Sequence, residues 1–384
     1  MSDLIRVGLA GARRGPAFVA GLRAIEGVEV AAICDPNVEF LHQRADRFGI
    51  TRRHTNFREM LEDAVDFVVL GTPMHLHTPQ TLEALAAGKH VLSEVTAAVS
   101  MEQCRELVEG VERARAHGLK YMMAENSCYR RQSVLIKSMV ERGAFGEIYF
   151  AEGEYVHEIR KLHYDAAGGP TWRSVWQVGV NGCTYGTHSL GPILEWFGPR
   201  SRVESVVCLG SGRHTAPEHA AEDTTLMLCK TDTGALIKIR VDMISSRPHA
   251  QSYQALQGTR ACYESARGFG DADKIWLDRL GVGAVERETI DSNPYEWRPL
   301  TEFEDEFLPS YWRNPPPEAL AAGHEGSDYF LVRDMIDAIR NDTAPPIDVY
   351  RALDYTIPGL LSQVSIERGG EPVKAPDFRN GRWE

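Results

Sequence analysis

The chain has 384 residues, 43% hydrophobic and 25% charged, which leaves room for two soluble globular domains. Its formal net charge of -12 repels phosphate backbones and anionic lipid, arguing against nucleic-acid or membrane-surface roles. Seven scattered cysteines with no CxxC pair, and no apolar run of about 18 residues, argue against a disulfide framework, a zinc site or a membrane span.

The first third alternates. Ile5–Leu9, Val28–Cys34, Val65–Gly71, His90–Glu94 and Lys120–Glu125 read as the short apolar strands of a sheet buried on both faces. Helix-period stretches separate them at Ala17–Ile25, Glu39–Arg47, Pro79–Ala87 and Met101–His117. This alternation predicts an α/β domain with a doubly wound parallel sheet of Rossmann type over residues 1–126. Met1 to Ala10 runs straight into the first strand, so no secretory signal is expected. The cysteines then read as free thiols in a reducing cytoplasm.

From Tyr129 the pattern changes. A helix over Ser133–Arg142 stops at Gly143. Strand-like runs follow at Ile148–His157, Val203–Leu209, Thr224–Cys229, Ala235–Met243 and Ser252–Gln257, the last leading into Ala261–Glu264. They predict an α+β domain over 127–384 with a mainly antiparallel, open-faced sheet. The stretch Gly268–His324 reads as loops, and helices over Gly326–Arg340 and Val349–Ile366 close the chain. An exposed sheet face is commonly covered by another subunit, so a homo-oligomer is expected.

Val7-Gly-Leu-Ala-Gly-Ala-Arg-Arg-Gly15 leaves the first strand and opens the first helix. Glycines at such a turn let backbone N–H groups approach a pyrophosphate. The spacing of Gly8, Gly11 and Gly15 departs from GxGxxG. Asp35, 20 residues past Gly15, stands where an acid accepts ribose hydroxyls and repels a 2′-phosphate, favouring NAD over NADP. Its alternative is a helix cap before Pro36. Cofactor contacts are expected from Gly11, Arg14, Gly15 and Asp35. Thr72-Pro-Met-His-Leu-His-Thr78 follows the third strand, at the sheet edge that lines such a crevice. Thr72, His75 and His77 face the cofactor on this reading, or one histidine caps the next helix.

With Gly88-Lys-His-Val91 and Glu94, these residues resemble the Gfo/Idh/MocA oxidoreductase family. Dehydrogenases of that family follow the glutamate with Lys-Pro and carry an Asp four residues before a catalytic His. Here those places hold Val95 and, before His188, Thr184. A branch lacking the same lysine fits better: the chain resembles the NAD-dependent glycoside hydrolases of family 109, typified by α-N-acetylgalactosaminidases. The similar stretches are Glu94-Val with Ala98-Val-Ser100, Met122-Met-Ala-Glu-Asn126 with Tyr129, Tyr155-Val-His-Glu-Ile-Arg160, Trp172-Arg173, the segment from Asn181 to Pro192, Ser246-Arg-Pro248, His324-Glu-Gly-Ser-Asp328 and Pro376-Asp-Phe378. Thr96, Gly186 and His249 stand where that branch usually has proline, proline and tyrosine. The twin-arginine export signal common in that branch is not expected here.

The resemblance implies NAD, a carbohydrate substrate and hydrolysis through transient oxidation at C3. A ketone there acidifies C2, a base removes that proton, the anomeric substituent leaves and water adds. Tyr155 and His157, two apart on a strand, share a face. Tyr185 and His188, three apart at a helix start, also share one. The implied roles are the C3 hydroxyl for His188, C2 deprotonation for Tyr155 or Tyr185, and sugar orientation or ketone polarisation for His157. Trp172 and Arg173 contact cofactor or sugar, or are packing and surface charge. Glu94 positions the nicotinamide. Glu125, with Asn126 beside it, holds ribose or nicotinamide, or simply ends its strand. Plainer alternatives make Tyr155 a core-edge aromatic, and Tyr295–Trp297 and Tyr311–Trp312 loop anchors. A sugar dehydrogenase with another proton carrier and a non-catalytic sensor are the competing readings. The histidine and cysteine spacing supports no metal site.

Overall fold

The structure, a computed structural model, describes residues 4–248, 250–278 and 296–381; His249 and Tyr295 lie outside the described residues. The chain opens with β1 (Ile5–Ala10), α1 (Val19–Arg23), β2 (Val28–Cys34), α2 (Val38–Phe48), β3 (Arg52–His54), α3 (Phe57–Glu62), β4 (Phe67–Leu70), α4 (His77–Ala86), β5 (His90–Ser93), α5 (Met101–Arg115) and β6 (Tyr121–Met123). It continues through α6 (Arg131–Glu141), β7 (Ile148–Val156), α7 (Trp172–Trp176), α8 (Thr187–Phe197), β8 (Val203–Gly210), β9 (Thr225–Thr231), β10 (Leu236–Asp242), β11 (Ala250–Gly258), β12 (Ala261–Glu264), β13 (Lys274–Leu277) and β14 (Arg298–Pro299). Short helices α9 (Glu304–Phe307), α10 (Ser310–Arg313) and α11 (Pro317–Ala321) precede α12 (Ser327–Arg340), α13 (Val349–Glu367) and β15 (Val373–Lys374).

Backbone packing divides the chain into two units. The first comprises Met1–Arg130, Pro315–Ile357 and Pro376–Glu384; the second comprises Arg131–Asn314 and Pro358–Ala375. Residues 315–357 and 376–381, read from sequence as part of the second domain, thus pack with the N-terminal segment.

The first unit carries a parallel six-stranded sheet in the order β3-β2-β1-β4-β5-β6. The order reverses between β1 and β4, so the loops leaving these strands flank the point where doubly wound sheets bind ligands. Val7, Leu9, Ile33, Phe67, Val69, Leu92 and Met122 are fully buried, as the unbroken apolar runs require. Ser100 starts α5 by accepting from the Gln103 N–H at 3.1 Å, and the Gln103 amide oxygen accepts from Val99 at 3.0 Å. Two elements escape the sequence reading. Edge strand β3 is the polar tripeptide Arg52-Arg53-His54, and α3 spans only six residues, too short to show a period.

The second unit holds a nine-stranded sheet, β14-β13-β12-β11-β7-β10-β9-β8-β15. It is antiparallel except where β7 runs parallel to β10. In β9 buried and exposed residues alternate strictly, which is the mark of a sheet covered on one face. Helix α8 packs on that covered face at Gly153 of β7. A Cβ there would lie 2.9 Å from the Ser189 Cβ and 3.0 Å from the Ile193 Cδ1. The stretch read as loops contains β13, β14 and four-to-five-residue helices, each too short to carry a sequence period.

Candidate active site

In the first unit the turn after β1 is closed by glycines. Gly11 has φ +92°, and a Cβ on it would run into the Gly71 carbonyl. A Cβ on Gly71 would in turn meet the Gly15 amide nitrogen at 2.6 Å. Backbone therefore approaches backbone across the switch point; the N–H groups of Gly11, Ala12 and Gly15 donate to Cys34, Asp35 and Gly11, and those of Arg13 and Arg14, with no partner among the described residues, suit a pyrophosphate. Asp35 ends β2 and braces this turn: Oδ2 accepts from Ala12 at 2.7 Å and Oδ1 from Asn37 at 2.8 Å. Asn37, not Asp35, caps α2, its side chain accepting from Phe40 at 3.0 Å. This donor set, backbone N–H groups and an acid at the end of β2, fits a dinucleotide.

The loop after β4 is tied to the loop after β5. The buried His77 ring lies between the Thr96 carbonyl (Nδ1, 2.8 Å) and the Thr72 carbonyl (Nε2, 2.9 Å). Burial pushes its pKa down against the pull of those two carbonyls. The Thr72 hydroxyl donates to Gln80 at 2.6 Å. His75 is half-buried, and burial followed by His77 lowers its pKa. Glu125 is fully buried and caps the turn 126–129, accepting from Ser127 at 3.1 Å.

The Arg14 guanidinium is held by two carboxylates. Nε donates to Glu94 at 2.5 Å, while Nη1 and Nη2 donate to Asp328 at 3.2 and 3.4 Å. Its charge also stacks over the Phe18 ring at 4.5 Å. Burial opposes the Arg14 charge, but Glu94 and Asp328 outweigh it and raise the pKa above the ordinary arginine value. Asp328 has no exposed side-chain surface. It also receives His324 Nδ1 at 3.1 Å and Asn126 Nδ2 at 3.5 Å. Burial would raise its pKa, yet the His324 bond and the Arg14 charge hold it below the usual carboxylate range. Asp328 and His324 lay in a stretch quoted for its similarity, without a role.

The second unit gathers the four aromatic candidates around Tyr155. Its ring centroid lies 5.4 Å from each of His157, Tyr185 and His188. Tyr185 and His188 are 5.6 Å apart. Tyr155 is the penultimate residue of β7, and the His157 N–H donates to the Asp242 carbonyl at 2.8 Å, extending the parallel pairing with β10. Tyr185 precedes α8 and His188 sits in its first turn, so the Gly153 contact that seats α8 also delivers both rings. Tyr155 and Tyr185 are buried; His157 and His188 are half-buried. The cluster combines two phenols and two imidazoles, groups that donate or accept protons once tuned. Val95, at the missing lysine's place in the first unit, is buried. The buried Thr184 hydroxyl has no hydrogen-bond partner among the described residues.

Trp172 and Arg173 open α7, with the guanidinium over the indole at 4.5 Å and its Nη1 donating to Gln177 at 2.7 Å. Trp312 is buried, whereas Trp297 and Tyr311 are exposed. Gly71, Gly153 and Gln177 were missed from sequence because their importance lies in what packs against them.

Two family models match this chain. The NAD-binding Rossmann fold of the oxidoreductase family matches residues 5–124, and the C-terminal domain of glycosyl hydrolase 109 matches residues 129–384. A glycosyl hydrolase family 109 protein of Saccharopolyspora erythraea is 30% identical over 415 residues, covering 100% of this chain and 85% of that protein. A counterpart in Shewanella putrefaciens is 29% identical, covering 100% and 86%. Among solved structures, an oxidoreductase domain protein from Kribbella flavida has a TM-score of 0.79 at 19% identity, covering 98% of this chain and all of that one. Levoglucosan dehydrogenase in complex with NADH and levoglucosan has a TM-score of 0.78 at 18% identity, covering 97% and 100%. No helix among the described residues is long and apolar enough to cross a membrane. With an NAD-binding Rossmann domain joined to that C-terminal domain, the chain belongs to glycosyl hydrolase family 109.

Proposed function

We propose that this protein is an NAD-dependent glycosidase that hydrolyses an N-acetylhexosaminide or a related glycoside. The observation that carries the reading is the ring cluster of Tyr155, His157, Tyr185 and His188, in a chain with valine at the dehydrogenase lysine position. Gly11, Gly15 and Asp35 hold the dinucleotide, with Thr72, Glu94, Glu125 and Asn126 along the same strand ends. When bound, NAD supplies a reversible acceptor for the hydride at sugar C3. His188 takes the proton of the C3 hydroxyl. Tyr155 or Tyr185 removes the C2 proton, which a carbonyl at C3 makes acidic. His157 orients the sugar or polarises that carbonyl, and Arg173 with Trp172 contacts the substrate or cofactor. The C2 electron pair forms the C1–C2 double bond as the C1–O bond breaks. The proton taken from C2 passes to the departing alkoxide, water adds hydroxyl to C1 and a proton to C2, and return of the hydride to C3 with the proton held by His188 restores the C3 hydroxyl, so the net reaction is hydrolysis.

The test is cleavage of α- and β-linked aryl glycosides in deuterated water with mass detection. Deuterium at C2 of the released sugar is expected, and Tyr155→Phe should cut turnover by about 10²–10⁴-fold. Release without label rejects the mechanism, and steady NADH accumulation points to a net dehydrogenase instead.

We also propose a cytoplasmic homo-oligomer, on the free thiols and the open sheet face. Leu209, Leu226, Leu228 and Leu236 are exposed, and register places all four on that face. Beside them lie the pairs Lys238–Glu152 at 2.8 Å and Arg267–Glu154 at 3.6 Å. Leucines flanked by both charge signs suit a self-complementary two-fold contact.

A further inference from the structure

Two strand ends of the first unit converge on one buried carboxylate, and a third joins them through Arg14. Arg14 follows β1, Glu94 follows β5 and Asn126 lies just past β6; Arg14 and Asn126 both bond to Asp328, at the start of α12. Asp328 is reached through three successive left-handed residues, His324 (φ +52°), Glu325 (φ +60°) and Gly326 (φ +98°). The first two are not glycine, a conformation retained where the surroundings over-determine it. The His324 ring closes back onto Asp328 from this turn. One guanidinium therefore answers two carboxylates, Glu94 and Asp328, within a few ångströms. A phosphate approaching Arg14 meets a guanidinium already paired with two carboxylates.

We propose that Asp328 is a positioning residue of the cofactor crevice: it commits the Arg14 guanidinium to the protein, so that this side chain fixes the Glu94 carboxylate and does not itself bind the cofactor phosphates. The main-chain N–H groups of Arg13 and Arg14, which the turn leaves without a partner among the described residues, hold the pyrophosphate, and Asp328 acts only through the Arg14 guanidinium. This narrows the sequence expectation of Arg14 as a direct cofactor contact to its main chain. It rests on NAD binding by the Rossmann domain and not on the glycosidase reading, because its test measures binding alone.

The full-length protein, stripped of cofactor, is titrated with ADP-ribose and with NAD at low and high salt, as wild type, Asp328→Asn and Arg14→Lys. Thermal melts report folding. In Asp328→Asn the freed guanidinium turns to phosphate, so ADP-ribose binds about tenfold more tightly at low salt, a gain lost at high salt. The preference for NAD over ADP-ribose shrinks in the same variant, because Glu94 is no longer held. Arg14→Lys keeps the charge but cannot fork two carboxylates; ADP-ribose affinity changes by less than about fivefold while the NAD preference again shrinks. A folded Asp328→Asn protein with unchanged or weaker ADP-ribose affinity overturns the proposal. So does a loss beyond about fivefold in Arg14→Lys, which alone decides if Asp328→Asn does not fold.

Discussion

His163 is buried after the turn 160–162, with its Nδ1 3.0 Å from Nε2 of His219. Burial first, then the charges of His219 and Arg173, push its pKa down to about 4; Arg160 adds to the fall and Glu158 opposes it. In the unfolded chain a histidine titrates near ~6.5. Between those values the unfolded state binds the extra proton. The stabilising contribution is therefore full above about pH 6.5 and is lost as pH falls toward 4. Urea unfolding across that window should show stability dropping with pH in the wild type and a shallower drop in His163→Gln. Equal slopes would contradict the assignment. Neither imidazole drew notice in the sequence, because they stand 56 positions apart and only folding makes them neighbours. Tyr155, Tyr185 and His188 were legible by contrast, since spacing on one strand and one helix turn already says which residues share a face.

Elements were legible in proportion to their length and one-sidedness. The central strands β1, β2, β4 and β5 announce themselves as apolar runs, whereas polar β3 and two-residue β14 carry no period. The seat of α8 on β7 is of another kind. Gly153 drew no notice inside the strand read as Ile148–His157, yet it lets Ser189 and Ile193 close onto the sheet. Gly153→Ala forces a Cβ into that contact, at an expected cost of about 1–3 kcal/mol. Because α8 carries His188 and starts beside Tyr185, the same change should lower turnover more than NAD affinity. An alanine variant with wild-type melting temperature and turnover would show that the contact relaxes freely.

For the whole molecule, the open face of the nine-stranded sheet is where the proposed association between chains would form. Light scattering should give more than one chain per particle, and Leu228→Lys, which sets a charge among the exposed leucines, should shift that mass toward one chain while sparing NAD binding. A wild-type monomer would sink the proposed association. Residue order by itself determined the alternating parallel sheet, the glycine turn with its acid at the end of β2, and the two Tyr/His pairs, because period and turn chemistry act between near neighbours along the chain. Only the tertiary structure decided which distant groups meet. Arg14 joins Glu94 and Asp328, 80 and 314 positions away, and the C-terminal segment 315–357 packs into the first unit. Those contacts form where the folded backbone returns on itself, and burial makes each charge demand a partner that no local spacing names.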